Sequence, residues 1–225
     1  MAARKPIIAI DGPVGAGKST TARKVAKELG FLFVDTGAMY RAVTLDVLNN
    51  GVNPDDEEAV KKVAALARVE LASTGKSQRT FLNGADVSER IRDRDVTAAV
   101  SAVSAQKSVR ERMTQLQREI GKNGAVVMEG RDIGTVVFPD AEYKIYLDAS
   151  IETRAERRYD ELVARGVEIT LEELIREVRE RDRANIEREL APLKKAPGAV
   201  LIDTTDMTFD EQVETIVALV RGEKG

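Results

Sequence analysis

Histidine, cysteine and tryptophan are all absent from the 225 residues, and aromatic side chains of any kind make up only 4%. Without histidine or cysteine there is no Ser-His-Asp or Cys-His nucleophile, no structural zinc cage and no thiol redox chemistry. Any catalysis has to run on carboxylates, lysine, arginine, hydroxyls and backbone groups. No apolar run approaches the roughly 18 residues that span a bilayer, and residues 1–6 lack the apolar stretch of a signal peptide. A soluble, cytoplasmic protein that does not engage membranes is therefore expected. Positive charge is not in excess either: 35 Lys and Arg against 38 Asp and Glu give a formal charge of −3, and the isoelectric point is near 5.4. That balance argues against a broad basic footprint for nucleic acid. An anionic partner would have to be met by a local cluster of cations.

What is present is patterned. Hydrophobic residues make up 43%, enough for a sizeable core. Residues 6–11 are a short apolar run with β-branched character, which reads as a strand buried on both faces. A glycine-rich turn over 12–17 leads into helical periodicity over 18–29, closed by Gly30. Residues 31–34 predict a second strand, 37–48 a helix stopped by Asn49-Asn50-Gly51, and 54–67 a helix with acids in its first turn. Residues 69–73 and 79–83, with a turn at Asn83-Gly84, predict short antiparallel strands, and 96–121 returns to helix in two segments. Three more apolar runs, at 125–129, 143–148 and 199–203, each end in an acid. The alternation predicts a single α/β domain with a doubly wound parallel sheet, whose ligands gather beyond the carboxyl ends of the strands. Asp11, Asp35, Glu129 and Asp148 fall at those ends.

Gly12-Pro13-Val14-Gly15-Ala16-Gly17-Lys18-Ser19 fits the pattern G-x-x-x-x-G-K-[ST], placed between a buried strand and a helix as that phosphate-binding motif requires. Glycines let successive backbone N–H groups converge on phosphate oxygens, and the helix N-terminus adds its partial positive charge. Residues Gly12 to Thr20 are thus candidate ATP ligands, with Lys18 reaching the β- and γ-phosphates and Ser19 offering a hydroxyl to Mg²⁺. A GTPase would want an Asn-Lys-x-Asp element, and no Asn here is followed by Lys.

Residues 150–190 are 21 of 41 charged, and every basic one is arginine. The run is either a pair of solvated helices stitched by i,i+4 pairs or an arginine-bearing lid. Arg154 and Arg158 share a helical face and are candidates for ATP phosphates, with Arg157 for adenine stacking. Asp35-Thr36-Gly37-Ala38-Met39-Tyr40-Arg41 and Glu129-Gly130-Arg131-Asp132-Ile133-Gly134-Thr135 each follow a strand and bring an arginine to the same end of the sheet. With Arg181, Arg183 and Arg188 they could cage an anionic substrate, because guanidinium binds phosphate bidentately and keeps its charge.

On these residues the chain resembles the bacterial cytidylate kinases, P-loop nucleoside monophosphate kinases that make CDP and dCDP. The resemblance runs through Ile10-Asp11-Gly12-Pro13 into Gly15-Ala16-Gly17-Lys18, the two segments just quoted (the second continuing through Val136-Val137-Phe138-Pro139), Arg181-Asp182 and Ala191-Pro192-Leu193, in order along nearly the whole chain. It implies five parallel strands, a monophosphate-binding insert over about 37–104, a lid over about 150–190, and a core made of about 1–36, 105–149 and 191–225. It further implies that Thr36, Arg110 and Asp132 read cytosine, that Ser101, Arg181 and Asn185 hold the ribose, and that Arg41, Arg131 and Arg188 hold the acceptor phosphate. Asn185 is a departure, because the family usually has Asp there.

The expected reaction is in-line transfer of the γ-phosphoryl group of MgATP to CMP or dCMP, with no general base. Lys18, Arg131, Arg181 and Arg188 are the expected charge cage, with Ser19 on Mg²⁺ and Glu129 orienting a metal-bound water. A kinase of UMP, AMP or shikimate, or a nucleotide-binding regulatory module, are the rivals. A monomer is expected.

Overall fold

The computed structural model describes residues 5–73, 78–164 and 166–222. Residues 1–4 of the N-terminal reading and Arg165 of the arginine-rich run lie outside the described residues. The first strand, β1 (Ile7–Asp11), is wholly buried and pairs in parallel on both sides. Its neighbours are β6 (Val126–Gly130) and β7 (Tyr143–Asp148), and β2 (Leu32–Asp35) and β8 (Val200–Asp203) close the five-stranded parallel sheet in the order β2-β6-β1-β7-β8. Only Ile202 of β8 is buried, because this strand lies at the sheet edge, whereas the apolar run 199–203 alone reads like the central strands.

Side chains alternate across the sheet with a period of two, and the sequence of β1 shows the consequence. Ile7 and Ala9 enter one core with Val126 and Met128, while Ile8 and Ile10 enter another with Val127. The second core is covered by α1 (Lys18–Leu29) and α8 (Phe209–Arg221), the first by α2 (Thr36–Asn49) and α5 (Lys107–Gly121). The same first core continues into α3 (Glu57–Leu66), α4 (Arg94–Ala105) and a three-stranded antiparallel sheet of β3 (Val69–Ser73), β4 (Gln78–Leu82) and β5 (Ala85–Asp86). The turn between β4 and β5 has Asn83 at φ 51° and Gly84 at φ 86°, the pair of positive values that an Asn-Gly hairpin turn needs.

Helix starts follow their caps. The Asp35 carboxylate accepts from Ala38 N–H, so α2 begins at Thr36, one residue before the periodicity suggests. Asp56 accepts from Ala59 N–H, so α3 begins at Glu57 and not at Pro54. Two charged helices, α6 (Ile151–Val163) and α7 (Leu171–Glu187), enclose a third, small core with Val14, Ala155, Leu174 and Val178. Register brings the carboxyl ends together: Asp11 lies opposite Gly130 and Tyr146, and Asp35 opposite Glu129.

Candidate active site

The loop from β1 to α1 wraps tightly because two of its glycines have no alternative. A Cβ on Gly12 would lie 2.0 Å from the Leu147 carbonyl oxygen, and one on Gly15 would lie 2.8 Å from the Arg154 carbonyl oxygen, each at positive φ. At the start of α1, buried Lys18 donates from Nζ to the Pro13 carbonyl at 2.5 Å. Burial, and then the nearby Arg131 charge, push its ammonium down to about 7. Ser19 donates to Glu129 Oε1 at 2.5 Å, and the Thr36 hydroxyl donates to the Glu129 carbonyl at 2.8 Å. Burial, and then Asp35, raise the Glu129 carboxyl to about 7. The Thr20 hydroxyl turns back to the Gly17 carbonyl at 3.1 Å.

Ser19 and Glu129 form an all-oxygen pair beside the loop, which suits a hard cation. No group of three or more acids that could hold a metal occurs among the described residues. The pair therefore fits Mg²⁺, which keeps waters and phosphate oxygens in its shell and takes few protein ligands, better than Ca²⁺, which wants a cage.

Across the cleft, arginines gather from separate segments. Arg41 on α2 donates to the Ile91 carbonyl at 3.1 Å and to the Thr97 hydroxyl at 2.9 Å. Its guanidinium falls to about 10, by burial first and then by Arg92, Arg158 and Arg131. Arg181 on α7 falls to about 10 for the same reason, with burial first and then Arg41, Arg131 and Arg158. Arg131 and Arg158 thus lie close enough to both Arg41 and Arg181 for their charges to act on each, with Asp35 and Glu177 offsetting them in part. Deeper in, Arg110 on α5 is ion-paired to Asp132 and lies 5.5 Å from the Tyr40 ring centroid. Arg188 follows at 3.7 Å from Asp132, donating from Nε to the Ala191 carbonyl at 2.7 Å, with a buried Nη2 that lacks a hydrogen-bond partner. Burial, and then Arg110, lower it to about 10. Asp11 braces the turn that carries Arg131 and Asp132 by accepting from Ile133 and Gly134 N–H, both at 2.8 Å. Burial raises that carboxyl to about 6 despite the two donors.

The similarity of the chain to known proteins points to one family. Residues 8–222 match the family described as Cytidylate kinase. The chain belongs to the cytidylate kinase family. It is 51% identical over 213 residues to a cytidylate kinase of Geobacillus sp., covering 95% of each chain. It is 49% identical to one of Ligilactobacillus salivarius, covering 96% of this chain and 97% of that one.

Several of the positions expected from the sequence are engaged by the protein itself or open to solvent. Ser101 lies exposed on α4. Arg154, expected on an ATP phosphate, is buried and already engaged: Nε donates to the Ala149 carbonyl at 2.9 Å, and Nη1 donates to the Val14 carbonyl at 3.1 Å and to Asp182 at 2.5 Å. Arg157 donates to the Thr204 carbonyl at 2.6 Å and to its hydroxyl at 3.1 Å. Arg158 is half-buried among the cleft arginines. The Asn185 amide donates to the Arg181 carbonyl at 2.6 Å. A cavity of about 510 Å³ lined by Asp203, Asp206, Met207, Glu211 and Thr215 is unsuited to an anionic substrate because of its acids.

The geometry also singles out residues that the sequence did not. Arg92 lies 3.7 Å from Asp35 and exerts the strongest like-charge effect on Arg41. In the sequence it reads as one of several arginines in a charged turn, and nothing in its spacing marks it. Tyr146, opposite Asp11, has its phenol raised to about 12 by burial and then by Asp148, Asp182 and Asp11. Its place in an apolar strand hides it. No helix among the described residues is long and apolar enough to cross a membrane.

Proposed function

We propose that this protein transfers the γ-phosphoryl group of MgATP to CMP or dCMP, giving ADP and CDP or dCDP. The observation that carries the reading is the gathering of cations near the phosphate loop: Arg131 acts on Lys18, and Arg131 and Arg158 both act on buried Arg41 and Arg181. Two phosphate-bearing substrates supply the missing negative charge. The family membership and the relatives' names support cytidine as the acceptor base.

In this reading residues 12–20 bind the ATP phosphates, Arg158 adds charge from the lid, Arg157 lies toward adenine, and Arg154 holds the loop from behind. Ser19 would hold Mg²⁺ directly and Glu129 through a water, and the ion, when bound, offsets charge on the phosphate oxygens. Arg41, Arg131 and Arg188 receive the acceptor phosphate, and Ser101, Arg181 and Asn185 face the ribose. Asp132 accepts from the exocyclic amine of cytosine while Arg110 donates to its acceptor edge, and Thr36 lines the same base. Uracil would leave those buried groups unmatched. Lys18, Arg131, Arg181 and Arg188 stabilise charge at the transferring group. The acceptor phosphate, with a second pKa of about 6, is already largely ionised at neutral pH, so no base is required. The chain divides into a core (about 1–36, 105–149 and 191–225), a monophosphate-binding insert (about 37–104) and a lid (about 150–190).

An ADP-release assay across CMP, dCMP, UMP and AMP tests the reading. Turnover with the cytidine nucleotides well above the other two is expected. Absence of turnover with both cytidine nucleotides would overturn it, and preference for UMP or AMP would favour a related kinase.

A further inference from the structure

The third core joins two parts of the site that belong to different substrates. Val14 sits inside the phosphate loop, yet its side chain is buried with Ala155 of α6 and Leu174 and Val178 of α7. Its carbonyl accepts from Arg154, and that same guanidinium holds Asp182 of α7. Gly15 presses on the backbone of Arg154, so a side chain there would collide with it. Loop, α6 and α7 are thus fastened at one point by an apolar contact and a buried ion pair.

Helix α7 carries the acceptor-side residues. Arg181 is adjacent to Asp182, Asn185 lies three residues on, and Arg188 caps the helix end. Along its length α7 packs on α6. One further detail marks the junction as incomplete: Asp182 Oδ1 is buried without a hydrogen-bond partner, and the Asp182 charge acts on Lys18. A half-satisfied buried carboxylate is costly and responds to any change in nearby positive charge.

We infer that Asp182, acting through Arg154 and Val14, is a positioning residue that couples the two nucleotide sites. Nucleotide phosphates drawn onto the loop fix Val14 and Arg154, which fixes α7 and so places Arg181, Asn185 and Arg188 for the acceptor. The inference rests on the kinase reading and goes further by naming how one substrate prepares the site of the other. Linkage makes the effect reciprocal: CMP must tighten a non-hydrolysable ATP analogue by the same factor as the analogue tightens CMP.

Calorimetric titration of the full-length protein tests it, with CMP and Mg²⁺-bound non-hydrolysable ATP analogue each added alone and then each in the presence of the other. In the wild type a coupling factor of about tenfold is expected, within the usual range for linked sites. Asp182→Asn, which keeps shape but loses charge, should bring that factor to within about twofold of one, while CMP alone binds within about threefold of wild type. Val178→Ala, which loosens the apolar half of the junction, should reduce it in the same direction. Thermal midpoints establish that each variant is folded, so either one suffices if the other is not. Independent binding in the wild type, or full coupling retained in a folded variant, would overturn the linkage and leave the kinase reading intact. Failure of the wild type to bind CMP at all would overturn both.

Discussion

The two sides of the cleft are built in different ways. In the proposed arrangement the ATP side rests mainly on one unbroken segment, residues 12–20, with its backbone turns and helix N-terminus, and Arg157, Arg158 and Glu129 add to it from elsewhere. The proposed acceptor side is assembled from α2, α4, α5, the turn after β6 and the end of α7, and its groups are side chains, most of them arginine. A contiguous site depends on local conformation, so it tolerates change elsewhere and fails when its own residues change. A distributed site depends on the fold that brings its parts together, so it can be damaged from a distance.

The largest effect should come from the contiguous side. Lys18→Met removes the only side-chain cation of the loop itself, and kcat should fall by about 10³-fold, the scale of losing a preorganised charge in a dry site. Arg131→Ala removes one cation among several and should cost less, about 10²-fold, in kcat with CMP. Initial-rate kinetics at saturating ATP compare the two. Equal losses would remove the distinction between a site with one indispensable cation and a site with shared ones.

Base selection should break next. Asp132→Asn replaces an acceptor-only carboxylate with an amide that can also donate, and it leaves Arg110 buried without its charge partner. The kcat/KM ratio of CMP over UMP should fall by about 10²-fold. An unchanged ratio would mean that the Arg110–Asp132 pair is structural.

Asp11 tests damage from a distance, since it touches neither substrate in the proposed arrangement and acts through the turn at 131–134. Its carboxyl is raised from 3.8 to about 6, so between pH 4 and 6 the folded state binds more protons than the unfolded state. Stability therefore falls as pH rises through that window, and the part owed to Asp11 is on the order of 3 kcal/mol. Urea unfolding at pH 4, 5, 6 and 7 should show a steeper decline in the wild type than in Asp11→Asn. Parallel curves would contradict the assignment.

The same contrast explains what the sequence could disclose. Strands β1, β6 and β7, the glycine loop and the hairpin turn at Asn83-Gly84 are legible because each is specified by residues adjacent in the chain. The edge character of β8 is not, since exposure of Val200 and Leu201 follows from strand order, and their sequence looks like that of a buried strand. The arginines show the same limit. Spacing puts Arg154 and Arg158 on one face, but only packing shows that Arg154 is buried against Val14 and Asp182 while half-buried Arg158 lies near enough to Arg41 for its charge to act there. Arg92 could not be told from its neighbours Arg90 and Arg94 until the fold set it beside Asp35 and Arg41.

The smallest effect should come from Asn185, the position where the resemblance implies an aspartate. Its amide nitrogen donates to the Arg181 carbonyl at 2.6 Å, which ties the side chain back onto its own helix. An aspartate cannot donate to that carbonyl and would be pushed off it toward the ribose as a charged acceptor. Hydrogen bonds to a charged group are about twice as strong as neutral ones, a gain on the order of 1 kcal/mol. Only CMP has the 2′-hydroxyl that can exploit it. Asn185→Asp should therefore raise the CMP over dCMP ratio of kcat/KM about fivefold, and the parent protein should be the more tolerant of dCMP. Identical ratios in the two proteins would show that position 185 does not sense the 2′ position, and would return the preference between the two nucleotides to the rest of the acceptor wall.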